Sequence, residues 1–143
     1  HGKNFVLSML KLARERPALQ IVTDQTGCPT WARNLASESV EVMSQLRQRK
    51  ADSQHDGLYH YCDGTITTWY DFARSIFVFG TSLGLLEQSP ETTPVNSSDY
   101  PQAAHRPERS VLDTSLISRT FQIEPPGLEE SLAACLQELQ HRE

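Results

Sequence analysis

Two short apolar stretches set among helical patterns constrain this chain more than anything else in it. Leu19 to Thr23 is rich in β-branched residues, and Gly57 to Tyr61 (GLYHY) is an apolar strand pattern between two helices. A strand so placed belongs to a parallel sheet, which is covered on both faces and needs neighbours on both sides. The chain offers few. The expectation is an α/β fold whose sheet is incomplete, so that it either rearranges around GLYHY or leaves an open strand edge that tends to pair with another chain.

The helices are easier to place. Asn4 to Arg16 carries Phe5, Leu7, Met9, Leu10, Leu12 and Ala13 on a broad apolar face, and Pro17 stops it. In Asp24 to Thr30 (DQTGCPT), Gly27 and Pro29 force a turn and Thr30 reads as an N-cap. Trp31, Leu35, Val42 and Leu46 then fall at helical spacing, predicting a long amphipathic helix from Trp31 to about Lys50, followed by a polar exposed loop. Asp63-Gly64 reads as a turn. Thr68 with Asp71 three residues on is a capping box that opens a helix from Trp69 to about Gly80. From Gly80 to Pro101 the composition predicts a loop with one short strand. Asp113 or Thr114 caps a short helix bearing Leu116, Ile117 and Phe121. Pro125-Pro126 leads into a last helix striped by Leu128, Leu132, Leu136 and Leu139.

Charge and cysteine content narrow the function classes. At 143 residues the chain is long enough for one core and too short for two full domains. The formal charge of −5 and scattered arginines give no basic face for nucleic acid. No apolar run approaches the ~20 residues of a bilayer span. Neither a signal peptide pattern nor metal-ligand spacing is seen; Cys28, Cys62 and Cys135 read as reduced thiols of a cytoplasmic protein. His55 lies in a polar loop and His60 in the GLYHY strand, and both read as structural. Trp31 and Trp69 each open a helix on an apolar stripe and read as core.

Two segments carry chemistry: DQTGCPT, and Tyr100 to Thr114 (YPQAAHRPERSVLDT). With Gly2 to Ala13, Gly57 to Ala73 and Pro125 to Leu136 they follow one another in an order that resembles the C-terminal half of the dTDP-4-dehydrorhamnose reductases. These are extended short-chain dehydrogenases/reductases. The resemblance implies the C-terminal part of a Rossmann-like fold, namely the edge of a parallel sheet plus a mostly helical substrate-binding lobe. By the same resemblance residues 1–143 form a nucleotide-sugar-binding portion. Residues 31–61 pack as the last helix and edge strand of a nucleotide-binding sheet whose other strands come earlier, and the opening at His1 falls mid-protein. Two departures stand out. His105 occupies the usual first Arg of an Arg-Arg-Pro run, and Gly127-Leu128 replaces a frequent Trp.

Reduction of a 4-keto sugar by this family uses a glycine-rich turn for NADPH, a Tyr four residues before a Lys, and a pocket for the sugar nucleotide. Four residues beyond Tyr59, Tyr61, Tyr70 and Tyr100 lie Asp63, Thr65, Arg74 and Ala104, so the catalytic pair is missing, and no glycine-rich turn follows a strand. No catalytic, cofactor or metal residue is assigned. NADPH is implied for a full-length enzyme and is not expected on this chain, which alone should be inactive. The pocket for a dTDP-sugar remains. The resemblance implies that Arg106 contacts the pyrophosphate; a guanidinium presents a planar fork of donors and stays charged, and Pro107 biases it toward an extended backbone. Asn4 opens a helix, serving as N-cap, as part of a phosphate site, or as both. Gln25 is placed either to reach phosphate or ribose or to stabilise its turn. Tyr100 either lines the nucleotide pocket or anchors its loop. His105 weakens phosphate binding when neutral and partly restores it when protonated. The alternative reading is a non-catalytic regulatory or binding module built on the reductase fold.

Overall fold

The computed structural model describes residues 4–48, 55–99 and 106–141. Helix α1 (Phe5–Glu15) leads into strand β1 (Ala18–Val22), the short β2 (Thr26–Gly27) and the long α2 (Ala32–Gln48). After residues 55–66 come β3 (Thr67–Thr68), α3 (Trp69–Ser82), β4 (Glu91–Val95), a 3-10 turn (Ser97–Asp99), α4 (Ser115–Phe121) and α5 (Leu128–Gln140).

Local signals explain the helix starts. The Asn4 side chain accepts the Leu7 N–H at 2.9 Å, satisfying a donor that the first turn leaves unpaired. Thr68 accepts the Asp71 N–H at 3.0 Å, and its hydroxyl donates to the Asp71 carboxylate at 2.7 Å, a variant of the expected capping box. The main core lies where α1, α3 and α5 meet β1, with Phe72, Ile76, Phe77, Leu132 and Leu136 all nearly sealed from solvent. Phe5 stacks on Phe72 at 5.3 Å and tilts against Trp69 at 4.8 Å, so Trp69 is a core aromatic as expected. A smaller cluster of Ile117, Phe121 and Ile123 joins α4 to Val42, Tyr59 and Tyr61.

The sheets differ from expectation. β1 pairs in parallel with β4, Ala18 opposite Glu91 through Val22 opposite Val95, which supplies the one short strand read between Gly80 and Pro101. GLYHY is no strand: residues 57–61 make no ladder, and Leu58 is 78% exposed. Strand propensity is realised only against a partner, and among the described residues none lies beside it. The open edges therefore belong to β1 and β4. Glu91 N–H donates to the Pro17 carbonyl and Val95 accepts from Thr23 N–H, so by alternation Thr92 and Pro94 face outward. Pro94 thus deletes a donor from the outer edge of β4, the usual place for proline in a strand.

Helix α2 has no buried residue: Leu35, Val40, Met43 and Leu46 are all exposed. Two further readings change. Trp31 lies outside both apolar clusters, half-buried, with the Arg33 guanidinium 5.4 Å from its ring centroid. The polar loop expected beyond α2 falls largely at 49–54, outside the described residues.

Asp24 fastens the end of β1 to the 3-10 turn. Its carboxylate accepts the Ser97 N–H at 2.9 and 3.0 Å and the Ser97 hydroxyl at 2.8 Å. The backbone bond, then the hydroxyl, hold its pKa below the ordinary 3.8. A depressed carboxyl contributes stability that is complete above its ordinary value and lost as pH falls through the folded one. Asp24→Asn should therefore be less stable than wild type at pH 7, with the gap closing as pH drops below 3.8, in urea melts at pH 7 and pH 2.5. A gap that stays constant with pH would refute the assignment.

Candidate functional site

Strand β2 is two residues long, yet chain from two distant places is bonded to it. On one side Thr26 and Gly27 pair antiparallel with Thr68 and Thr67. On the other, Thr26 N–H donates to the Glu108 carbonyl at 2.7 Å and Ser110 N–H donates to the Thr26 carbonyl at 2.9 Å, a parallel bridge that sets Arg109 beside Thr26. The two segments singled out in the sequence, DQTGCPT and RPERS, are thus neighbours joined by a single bridge. The start of α3 joins them, since Trp69 N–H donates to the Gln25 carbonyl at 3.3 Å. Phe5, next to the Asn4 cap, packs on the ring of that same Trp69. The first turn of α1, the β2 turn and the 106–110 segment therefore converge on the N-terminus of α3.

The anticipated residues occupy different settings there. Arg106 is exposed, three residues before the bridge residue Arg109. Asn4 is exposed and serves as the α1 cap. Gln25 is buried, only 4% exposed. Tyr100 and His105 lie outside the described residues.

Sequence reasoning missed the residue that holds this region in shape. Asp63 is 1% exposed. Its carboxylate accepts the Trp31 N–H at 3.2 Å, the Asn34 amide at 3.0 Å and the Tyr61 hydroxyl at 3.2 Å. Asn34 continues to Ser131 on α5 at 2.9 Å. Thr30, expected to cap α2, does not; its hydroxyl donates to the Cys28 carbonyl and accepts the Asp63 N–H, while Asp63 takes over the helix start from a distance. Burial first, then the Asp63 charge and hydrogen bond, raise the Tyr61 pKa above the ordinary phenol range. Gly64 follows, its N–H donating to the Pro126 carbonyl at 2.8 Å; a Cβ there would sit 2.9 Å from the Pro125 oxygen, so only glycine fits. The available signal was an Asp closing the apolar run GLYHYC.

A dinucleotide fold needs a glycine whose bare backbone faces a pyrophosphate. The glycine of this turn does not: a Cβ on Gly27 would meet Ser110 Oγ at 2.8 Å, so protein already fills that approach. The turn does not fit the pyrophosphate of a nicotinamide dinucleotide. Among the described residues no group of three or more His, Cys, Asp or Glu could hold a metal ion, and no helix is long and apolar enough to cross a membrane.

A family model described as the RmlD substrate binding domain matches residues 1–141. The chain belongs to this family. Among full-length relatives of the RmlD substrate binding domain, the dTDP-4-dehydrorhamnose reductase of Aggregatibacter actinomycetemcomitans is 34% identical over 132 residues, 92% of this chain and 44% of the relative. That of Burkholderia thailandensis is 35% identical over 141 residues, 96% and 47%. The solved reductase of Clostridium acetobutylicum superposes with a TM-score of 0.81 at 31% identity, covering 97% of this chain and 45% of that one. The Bacillus anthracis reductase in complex with NADP gives 0.79 at 27%, covering 96% and 44%. The RmlD domain described here is thus homologous to a portion of dTDP-4-dehydrorhamnose reductase and spans under half the length of these relatives.

Removing the Asp63 carboxylate would leave three donors without their acceptor, two of them around the α2 start. Asp63→Ala should cost about 3 kcal/mol in urea unfolding. A loss under about 0.5 kcal/mol would mean that water replaces the carboxylate and that Asp63 holds nothing.

Proposed function

We propose that this chain is the C-terminal, nucleotide-sugar-binding portion of an NADPH-dependent reductase that converts dTDP-4-dehydro-L-rhamnose to dTDP-L-rhamnose in the cytoplasm. The reading is supported by one observation above the rest: DQTGCPT and RPERS, far apart in sequence, are bridged side by side in a domain whose family is described by substrate binding. In this reading Arg106 grips the diphosphate of the dTDP-sugar with its guanidinium fork. The first turn of α1 behind Asn4 offers N–H donors to the same charge. Gln25 is buried in the turn behind them, and Tyr100 and His105, outside the described residues, are assigned to the same dTDP-sugar. NADPH and the proton donor are supplied by chain outside these residues, consistent with the obstructed approach at Gly27.

Residues 31–61 are the surface that meets that nucleotide-binding half. The bare apolar side of α2 and the unpaired 57–61 segment support this, since Leu35, Val40, Met43, Leu46 and Leu58 would otherwise stay in water.

Titration calorimetry of the chain with dTDP and with NADPH tests the first part. Binding of dTDP is expected, weakened about tenfold to a hundredfold by Arg106→Ala, with no heat from NADPH. A complete reductase whose KM for the dTDP-sugar is unmoved by Arg106→Ala would sink the assignment. For the second part, hydrogen exchange of residues 31–48 and 57–61 should slow markedly in the complete reductase relative to this chain. Equal exchange in both would place the other half elsewhere.

A further inference from the structure

The chain contains Cys28, Cys62 and Cys135, none of them in a disulfide. Two of them meet. Cys28 lies half-buried in the turn after β2, and Cys62 is 6% exposed in the segment that ends at Asp63. The Thr30 hydroxyl donates to the Cys28 carbonyl at 3.0 Å and accepts the Asp63 N–H at 3.3 Å, so one oxygen clamps the two backbones together. Beside that clamp the Cys28 and Cys62 thiols are near enough to act on each other electrostatically. Close backbones and neighbouring thiols are what a disulfide requires before it can form without unfolding.

We propose that Cys28 and Cys62 form a reversible disulfide that locks the DQTGCPT turn onto the segment bearing Asp63. The oxidant is a small-molecule disulfide. Cys28, the more exposed thiol, loses its proton to solvent and its thiolate attacks one sulfur of that molecule, expelling one small thiolate. The Cys62 thiolate then attacks the Cys28 sulfur of the mixed disulfide, forming the protein bond and expelling the second small thiolate. Two protein thiols are oxidised and one disulfide is reduced to two thiols.

Burial and the Cys62 contact push Cys28 up to about 11, against a smaller opposing pull from Arg109. Little thiolate is present at neutral pH, so the pair rides out brief oxidation and closes under sustained exposure, faster as pH rises. The bond would tie down the turn that carries Gln25 and Thr26, and it does not depend on which ligand the turn serves.

The test is peptide mapping after incubation of the protein with oxidised glutathione at pH 8.5, acid quench, alkylation and digestion. The expected main product is a Cys28–Cys62 cross-linked peptide, with Cys135 recovered outside it. Cys62→Ser should stop at a glutathione adduct on Cys28. Wild-type protein that itself stops at that adduct, or pairs Cys28 with Cys135 as readily as with Cys62, overturns the proposal; this digest decides the matter whether or not the variant folds. The same reaction in guanidinium should lose the preference for Cys62. A preference that survives unfolding would not come from the fold and counts against it.

Discussion

One buried carboxylate organises the half of the molecule that faces the candidate site. Asp63 is sealed from bulk solvent, so its carboxylate is held by three donors, from Trp31 just before α2, from Asn34 within it and from Tyr61. Because Trp31 N–H is one of them, the direction in which α2 leaves the β2 turn is tied to Asp63. Because Asn34 reaches on to Ser131, the same network positions α5 against α2. An ion pair between Arg33 and Glu138 joins these two helices again. The apolar core fixes α1, α3, β1 and α5 among themselves; it does not reach α2, which is held by these polar links, by the Gln45 amide donating to the Phe121 carbonyl at 2.9 Å, and by Val42 against the α4 cluster.

What could be read from the sequence was what local physics decides. Helix periodicity and the caps at Asn4 and Thr68 act over three residues, and both caps are where the sequence put them. The strand between Gly80 and Pro101 was no more than a hint, because its partner lies 73 residues back and Pro94 weakens the pattern. GLYHY differs for the opposite reason: the residues suit a strand, and among the described residues nothing pairs with it. Thr30 looked like a cap because hydroxyls before helices usually are, and a carboxylate 33 residues later displaced it.

The site divides in the same way. Both chemistry-bearing segments were visible, and their adjacency bears on the nucleotide-sugar reading. The contacts that make them adjacent were not visible. Nothing in PERS announces that Glu108 and Ser110 bond the backbone of Thr26, since backbone donors and acceptors carry no residue signature. Gln25 read equally as a ligand contact or a turn-stabilising residue; it is buried, and the start of α3 bonds its carbonyl.

The two-sided bonding of β2 has a consequence for the order in which the molecule assembles. One side of β2 closes a span of about 40 residues and the other a span of 82, while the strand itself offers only two residues in return. Such closures cost chain entropy that only a preformed frame can offset. The α1–β1–α3 core also closes long spans, but it returns far more buried apolar surface for them and can stand first. The turn with its two flanking segments is then the last part to acquire its shape and the first to lose it.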